Sequence, residues 1–81
     1  MIPTGRQLRE GRLLIGMSQV ALAVAAGIGL ELVIRAELED GMPMITMRDA
    51  RSLQAALEAA NVEFVPESGS GTGVRLRKSK L

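Results

Sequence analysis

Apolar residues recur at helical spacing over four stretches of this chain and alternate like strands over two. In the first stretch, Leu8, Gly11 or Arg12, Leu14 and Ile15 approximate the inward stripe of a helix from about Gly5 to Ile15, which Thr4 can cap and Gly16 ends. Gly11 inside it costs about 1 kcal/mol relative to Ala and predicts another helix passing close by. A second helix, about Gln19 to Ala26, starts at the hydroxyl of Ser18 and ends at Gly27. Leu22, Ala23 and Ala26 supply its core contact, so Val20, Ala21, Val24 and Ala25 are left over with almost no polar face. The third helix runs from about Leu30 to Glu39 and is expected to bury Val33 with Ala36 or Leu38; a phase with Leu30, Ile34 and Leu38 inward fits the spacing nearly as well.

Asp40-Gly41 is a turn signal and Pro43 keeps Met42 to Ile45 out of a helix. Thr46 with Asp49 resembles a capping box, and Met47, Ala50, Leu53, Leu57 and Ala60 form the inward stripe of a fourth helix that Asn61 ends. Beyond it, Val62 to Val65 and Val74 to Arg77 alternate, joined by the flexible link Ser68 to Gly73; they predict a two-stranded antiparallel ribbon anchored by Phe64. Such a ribbon is marginal alone and must pack on the helices or pair with another chain. The expected fold is mainly α, a four-helix helix-turn-helix domain over residues 1–61 with a C-terminal β-ribbon extension over 62–81. Two short helices joined by Gly27-Ile28-Gly29 are the helix-turn-helix signature.

Composition narrows the chemistry. Eighty-one residues make one small domain near the lower size limit for an unassisted core, which dimerisation would help. With no Cys and no His there is no disulfide, thiol nucleophile, histidine base or Cys/His metal site, so an enzyme, a metal and a cofactor are not expected. Gly69-x-Gly71-x-Gly73 matches a nucleotide loop in letters only, because no helix follows it. The longest nearly unbroken apolar run, Val20 to Leu30, falls short of the roughly 20 residues of a membrane span, and no secretory pattern follows the N-terminal arginines. A cytoplasmic protein with no membrane partner is the expectation. The net charge of +1 is unevenly spread: residues 1–17 carry +2, residues 18–45 carry −3 through Glu31, Glu37, Glu39 and Asp40 against Arg35, and residues 46–81 carry +2.

Several runs resemble the small regulators with an xre/Cro-type (lambda-repressor-like) helix-turn-helix and a short C-terminal ribbon: Gly5-Arg6-Gln7-Leu8-Arg9, Arg12, Leu14-Ile15-Gly16, Ser18-Gln19, Leu22-Ala23, Ala25-Ala26-Gly27-Ile28, Arg35 with Glu37, Leu57 to Phe64 and Gly73 to Lys78. The resemblance covers nearly the whole chain. It implies that Gln19 touches the DNA backbone and that the first residues of the third helix read bases. At those reading positions the chain departs from the pattern, with Gly29, Leu30, Glu31, Leu32 and Ile34 where relatives usually carry Ser, Arg, Pro or Thr, and with Val20, Ala21 and Val24 where they are usually charged.

Base readout relies on Arg, Lys, Asn or Gln, of which the third helix has only Arg35, while phosphate contacts need cations where this chain is acidic. Val20, Val24, Leu30, Leu32 and Ile34 would instead form an apolar patch, with Glu31, Glu37, Glu39 and Asp40 as a rim facing a basic partner. The expected function is transcription regulation by protein contact: an antiactivator that masks a transcriptional activator. The bland alternative makes Leu30, Leu32 and Ile34 core residues. The second functional reading is a dimeric sequence-specific DNA-binding repressor using Arg6, Gln19, Gly29 and Arg35, with Arg9 and Arg12 in support. The tail cations Arg75, Arg77, Lys78 and Lys80 read better as protection of a strand edge than as a grip on phosphate or an acidic partner. The five Met residues read as core filler, although Met-rich surfaces also suit adaptable binding.

Overall fold

The computed structural model describes residues 2–66 and 73–77, which leaves the link at 68–72 and the tail residues Lys78 and Lys80 outside the described part. Four helices come first, α1 (Gly5–Leu14), α2 (Gln19–Ala26), α3 (Leu30–Leu38) and α4 (Met47–Ala59), followed by strands β1 (Val62–Phe64) and β2 (Val74–Leu76). Each helix except α3 starts on a hydroxyl: Thr4 accepts from the Gln7 amide, Ser18 from that of Ala21 and Thr46 from that of Asp49. Gly27 ends α2 in the left-handed conformation (φ 70°), and its N–H donates to the carbonyls of Ala23 and Val24. Asn61 (φ 72°) reverses the chain from α4 into β1. The strands pair antiparallel with Val62 opposite Leu76, Glu63 opposite Arg75 and Phe64 opposite Val74, which is the expected ribbon.

Leu8, Leu22, Ala23, Val33, Ala36, Leu53, Leu57 and Val62 form one core drawn from all four helices and β1. Ile15, Met17, Ala26, Ile28, Ile45, Phe64 and Val74 pack around it. Leu14, expected inside, is exposed at the end of α1, and so is Met47 at the start of α4; both sit in terminal turns that outreach the core. Gly11 is indeed a close approach. A Cβ there would meet Val62 Cγ1 at 3.2 Å and Leu57 Cδ1 at 3.5 Å, so the neighbours are α4 and the ribbon together.

Two contacts that sequence spacing does not reveal lock the architecture. The buried Gln7 donates from Nε2 to the carbonyls of Val65 (3.1 Å) and Gly73 (3.3 Å), while its Oε1 accepts from the Thr4 amide (2.9 Å). One side chain thus completes the cap of α1 and clips the ribbon onto it. Gly5 lies against the last carbonyls of α3, and its amide donates to the Gly41 carbonyl at 2.8 Å, with the Arg6 amide reaching that of Asp40 at 3.3 Å. The free N–H groups of α1 therefore find their acceptors in the α3–α4 loop.

Candidate functional site

Helices α2 and α3 meet at a bend of 115° across Gly27-Ile28-Gly29, within the range of a helix-turn-helix. Only Leu22 and Ala23 of α2 are fully buried, and only Val33, Ala36 and Glu37 of α3. At 100° per residue this fixes the phase of α3. The phase that put Leu30, Ile34 and Leu38 inward is not adopted: all three are exposed, Leu38 to 74%. Spaced four apart, they form a single row along one flank of the helix. Val20 (58% exposed) and Val24 (77%) form a second row on α2.

The flank of α3 that carries Leu30, Ile34 and Leu38 also carries Glu37, which neighbours them around the helix. Gln19 Nε2 donates to Glu37 Oε1 at 3.2 Å and Arg12 donates to both Glu37 oxygens, so Glu37 faces the start of α2 and the end of α1. Leu32 is different. It is half-buried on the opposite flank and lines a shallow hollow of about 490 Å³ with Arg35, Pro43, Met44, Ile45, Thr46 and Asp49. Leu32 therefore leaves the proposed patch, and Leu38 enters it. The spacing of Leu38 was visible in the sequence, but its direction was not.

The acidic rim also changes. Glu37 is buried, because the Arg12 guanidinium donates to both of its carboxylate oxygens, Nε to Oε2 and Nη2 to Oε1, each at 2.8 Å. Arg12 Nη1 donates further to the Met17 carbonyl at 2.9 Å. Asp40 accepts from Arg9 Nη2 at 2.8 Å, and Arg9 Nη1 donates to the Glu37 carbonyl at 2.8 Å. Glu31 and Glu39 remain as exposed acids with no ion pair among the described residues.

The same bonds remove most of the candidate DNA contacts. Arg9 and Arg12 tie α1 to α3, and Gln19 is held by Glu37, so none of the three projects freely toward a duplex. Arg6 and Arg35 are exposed and make no ion pair among the described residues. Gly29 is exposed as the N-cap of α3 and offers no side-chain hydrogen bond.

The hydrogen bond from Arg9 holds the Asp40 carboxyl below the usual carboxylate range, aided by the charge of the guanidinium, while the same bond raises Arg9. A carboxyl lowered in the folded state stabilises the fold above its unfolded titration range, and that contribution is lost as pH falls through the folded value. An NMR titration of side-chain carboxyl carbons should therefore show Asp40 titrating below the ordinary aspartate range. In Arg9→Gln its midpoint should return toward that range.

Among the described residues no group of three or more acidic side chains is placed to hold a metal ion. No single helix there is long and apolar enough to cross a membrane; α2 and α3 reach that length only together, across their bend. No protein-family model and no curated protein matches the chain.

Proposed function

We propose that this helix-turn-helix domain regulates transcription by docking a protein partner on α2 and α3, as an antiactivator that masks a transcriptional activator. The observation that carries the reading is the pair of exposed apolar rows, Val20 and Val24 on α2 with Leu30, Ile34 and Leu38 on α3. Fully burying a Val, Leu or Ile side chain is worth about 1.5–3 kcal/mol, and rows of exposed apolar side chains such as these support an interface. Glu31 and Glu39 flank the α3 row and favour a partner that is basic at the rim, as a DNA-binding activator is around its own recognition surface. The resemblance to xre/Cro-type regulators supports the regulatory role, and the use of Arg9, Arg12 and Gln19 inside the fold supports protein over DNA as the ligand.

The runner-up is a dimeric DNA-binding repressor of the xre/Cro type. The 115° bend and the exposed Arg6 and Arg35 favour it. One experiment separates the two. In cells carrying a reporter driven by the cognate activator, Val24→Asp and Leu38→Asp, at 77% and 74% exposed positions, should each restore reporter expression, with thermal melting of the purified variants unchanged. Binding to the DNA upstream of the gene, measured at about 50 and 200 mM salt, should be weak in both. Tight, steeply salt-dependent binding that survives Val24→Asp and falls with Arg35→Ala would install the repressor reading instead.

A further inference from the structure

The ribbon presents a second surface, independent of α2 and α3. Its hydrogen-bond phase follows from its two ends: the Arg77 amide donates to the Asn61 carbonyl and the Val65 amide to the Gly73 carbonyl, both at 2.8 Å. In an antiparallel pair, residues that bond the partner strand alternate with residues whose N–H and C=O point the other way. Residues 61, 63 and 65 thus bond residues 77, 75 and 73, and the main-chain groups of Val74 and Leu76 point out of the ribbon along the far edge of β2. Neither residue has another main-chain partner among the described residues. Helix α4 packs against β1 and α1 against both strands. Beside the strand lies a shallow hollow of about 410 Å³ lined by Glu63, Arg75, Leu76 and Arg77, with Leu76 54% exposed.

We infer that the outer edge of β2 takes an extended peptide in which acidic and apolar residues alternate, added as a third strand. On one face of β2 lie Arg75, which is ion-paired with Glu63 of β1 and stays exposed, and Arg77, which has no ion pair among the described residues; Val74 and Leu76 lie on the other face. An added strand with carboxylates on the first face and apolar side chains on the second complements both. Nucleic acid fits less well, since phosphate oxygens only accept, whereas Val74 and Leu76 offer carbonyls as well as amides. Two-fold pairing of β2 with a second copy in the register that bonds Val74 to Leu76 would set Arg75 opposite Arg75, a like-charge pair that destabilises a sheet.

The test uses the full chain and the blocked peptide Thr-Val-Glu-Val-Glu-Val-Thr. Saturating peptide should shift the amide signals of Val74 and Leu76 and slow their hydrogen exchange. N-methylating the peptide at alternate positions should abolish this in one phase only. Arg77→Glu, which faces Asn61 across the ribbon and so meets no like charge there, should weaken the peptide by about tenfold when combined with Arg75→Gln, and should favour the Lys-for-Glu peptide. Three results would overturn the inference: equal loss of binding on N-methylation in both phases or in neither, protection by an oligonucleotide but not by peptide, or protection of Val74 and Leu76 with no peptide present, which would mean self-pairing.

Discussion

Replacing Glu37 by Ala should destabilise the domain by about 3–5 kcal/mol, because it leaves the Arg12 guanidinium buried without its counter-charge. Arg12 and Glu37 are both largely shielded from water, with side chains 12% and 5% exposed, and the carboxylate also accepts from Gln19. A domain of this length holds roughly 4–12 kcal/mol in all, at about 0.05–0.15 kcal/mol per residue, so the loss takes a large share of it. The double variant Arg12→Met with Glu37→Leu removes both charges at similar volume and should recover most of the stability. Urea denaturation of the wild type, Glu37→Ala and the double variant measures this directly. If Glu37→Ala melted like wild type, the pair would contribute no more than an exposed surface bridge.

The second large effect is expected at Gly5. A Cβ built there would fall onto the main-chain carbonyl oxygens of Ala36 and Glu39, far inside van der Waals contact, and main chain cannot swing aside as a flexible side chain can. Gly5→Ala must therefore push the start of α1 away from the end of α3, stretching the bonds from the Gly5 and Arg6 amides and those made by Arg9. Ordinary overpacking costs about 1–3 kcal/mol, and this variant should lie at or above the top of that range. Gly11→Ala is the control. There the nearest atoms are side-chain carbons at 3.2 Å and 3.5 Å that need move only slightly, and the added helix propensity of about 1 kcal/mol offsets the crowding. Thermal unfolding should show a large drop for Gly5→Ala and a small change for Gly11→Ala.

Helix starts and stops were legible because local chemistry sets them. Thr4, Ser18 and Thr46 as caps and Gly27 as the left-handed stop mark boundaries that agree with the structure to within about a residue. The ribbon was legible from its alternation. The direction of α3 was not, since nine residues with apolar side chains on both flanks satisfy two phases equally well. The adopted phase buries Val33 and Ala36 in the core and brings Glu37 onto Arg12, a bond that spans 25 positions and leaves no periodic trace. For the same reason Glu37 read as part of the surface rim, Arg9 and Arg12 as cations available to phosphate, and Leu32 as a member of the patch; Asp40 is on the surface as expected, but held by Arg9. Gln7 carries no core signal in the sequence because its acceptors at Val65 and Gly73 lie at the far end of the chain.

Helix α3 attaches to the rest of the molecule through Val33, Ala36 and Glu37 alone among its nine residues, with Leu32 half in. Of the five remaining positions, Leu30 and Ile34 are still more than half covered, whereas Glu31, Arg35 and Leu38 are exposed and mutation can drift there at little cost in stability. On the proposed reading, a lineage could exchange one partner for another through surface substitutions only, and a designer could graft a foreign recognition sequence onto positions 31, 35 and 38, with 30 and 34 kept apolar, while leaving the scaffold intact.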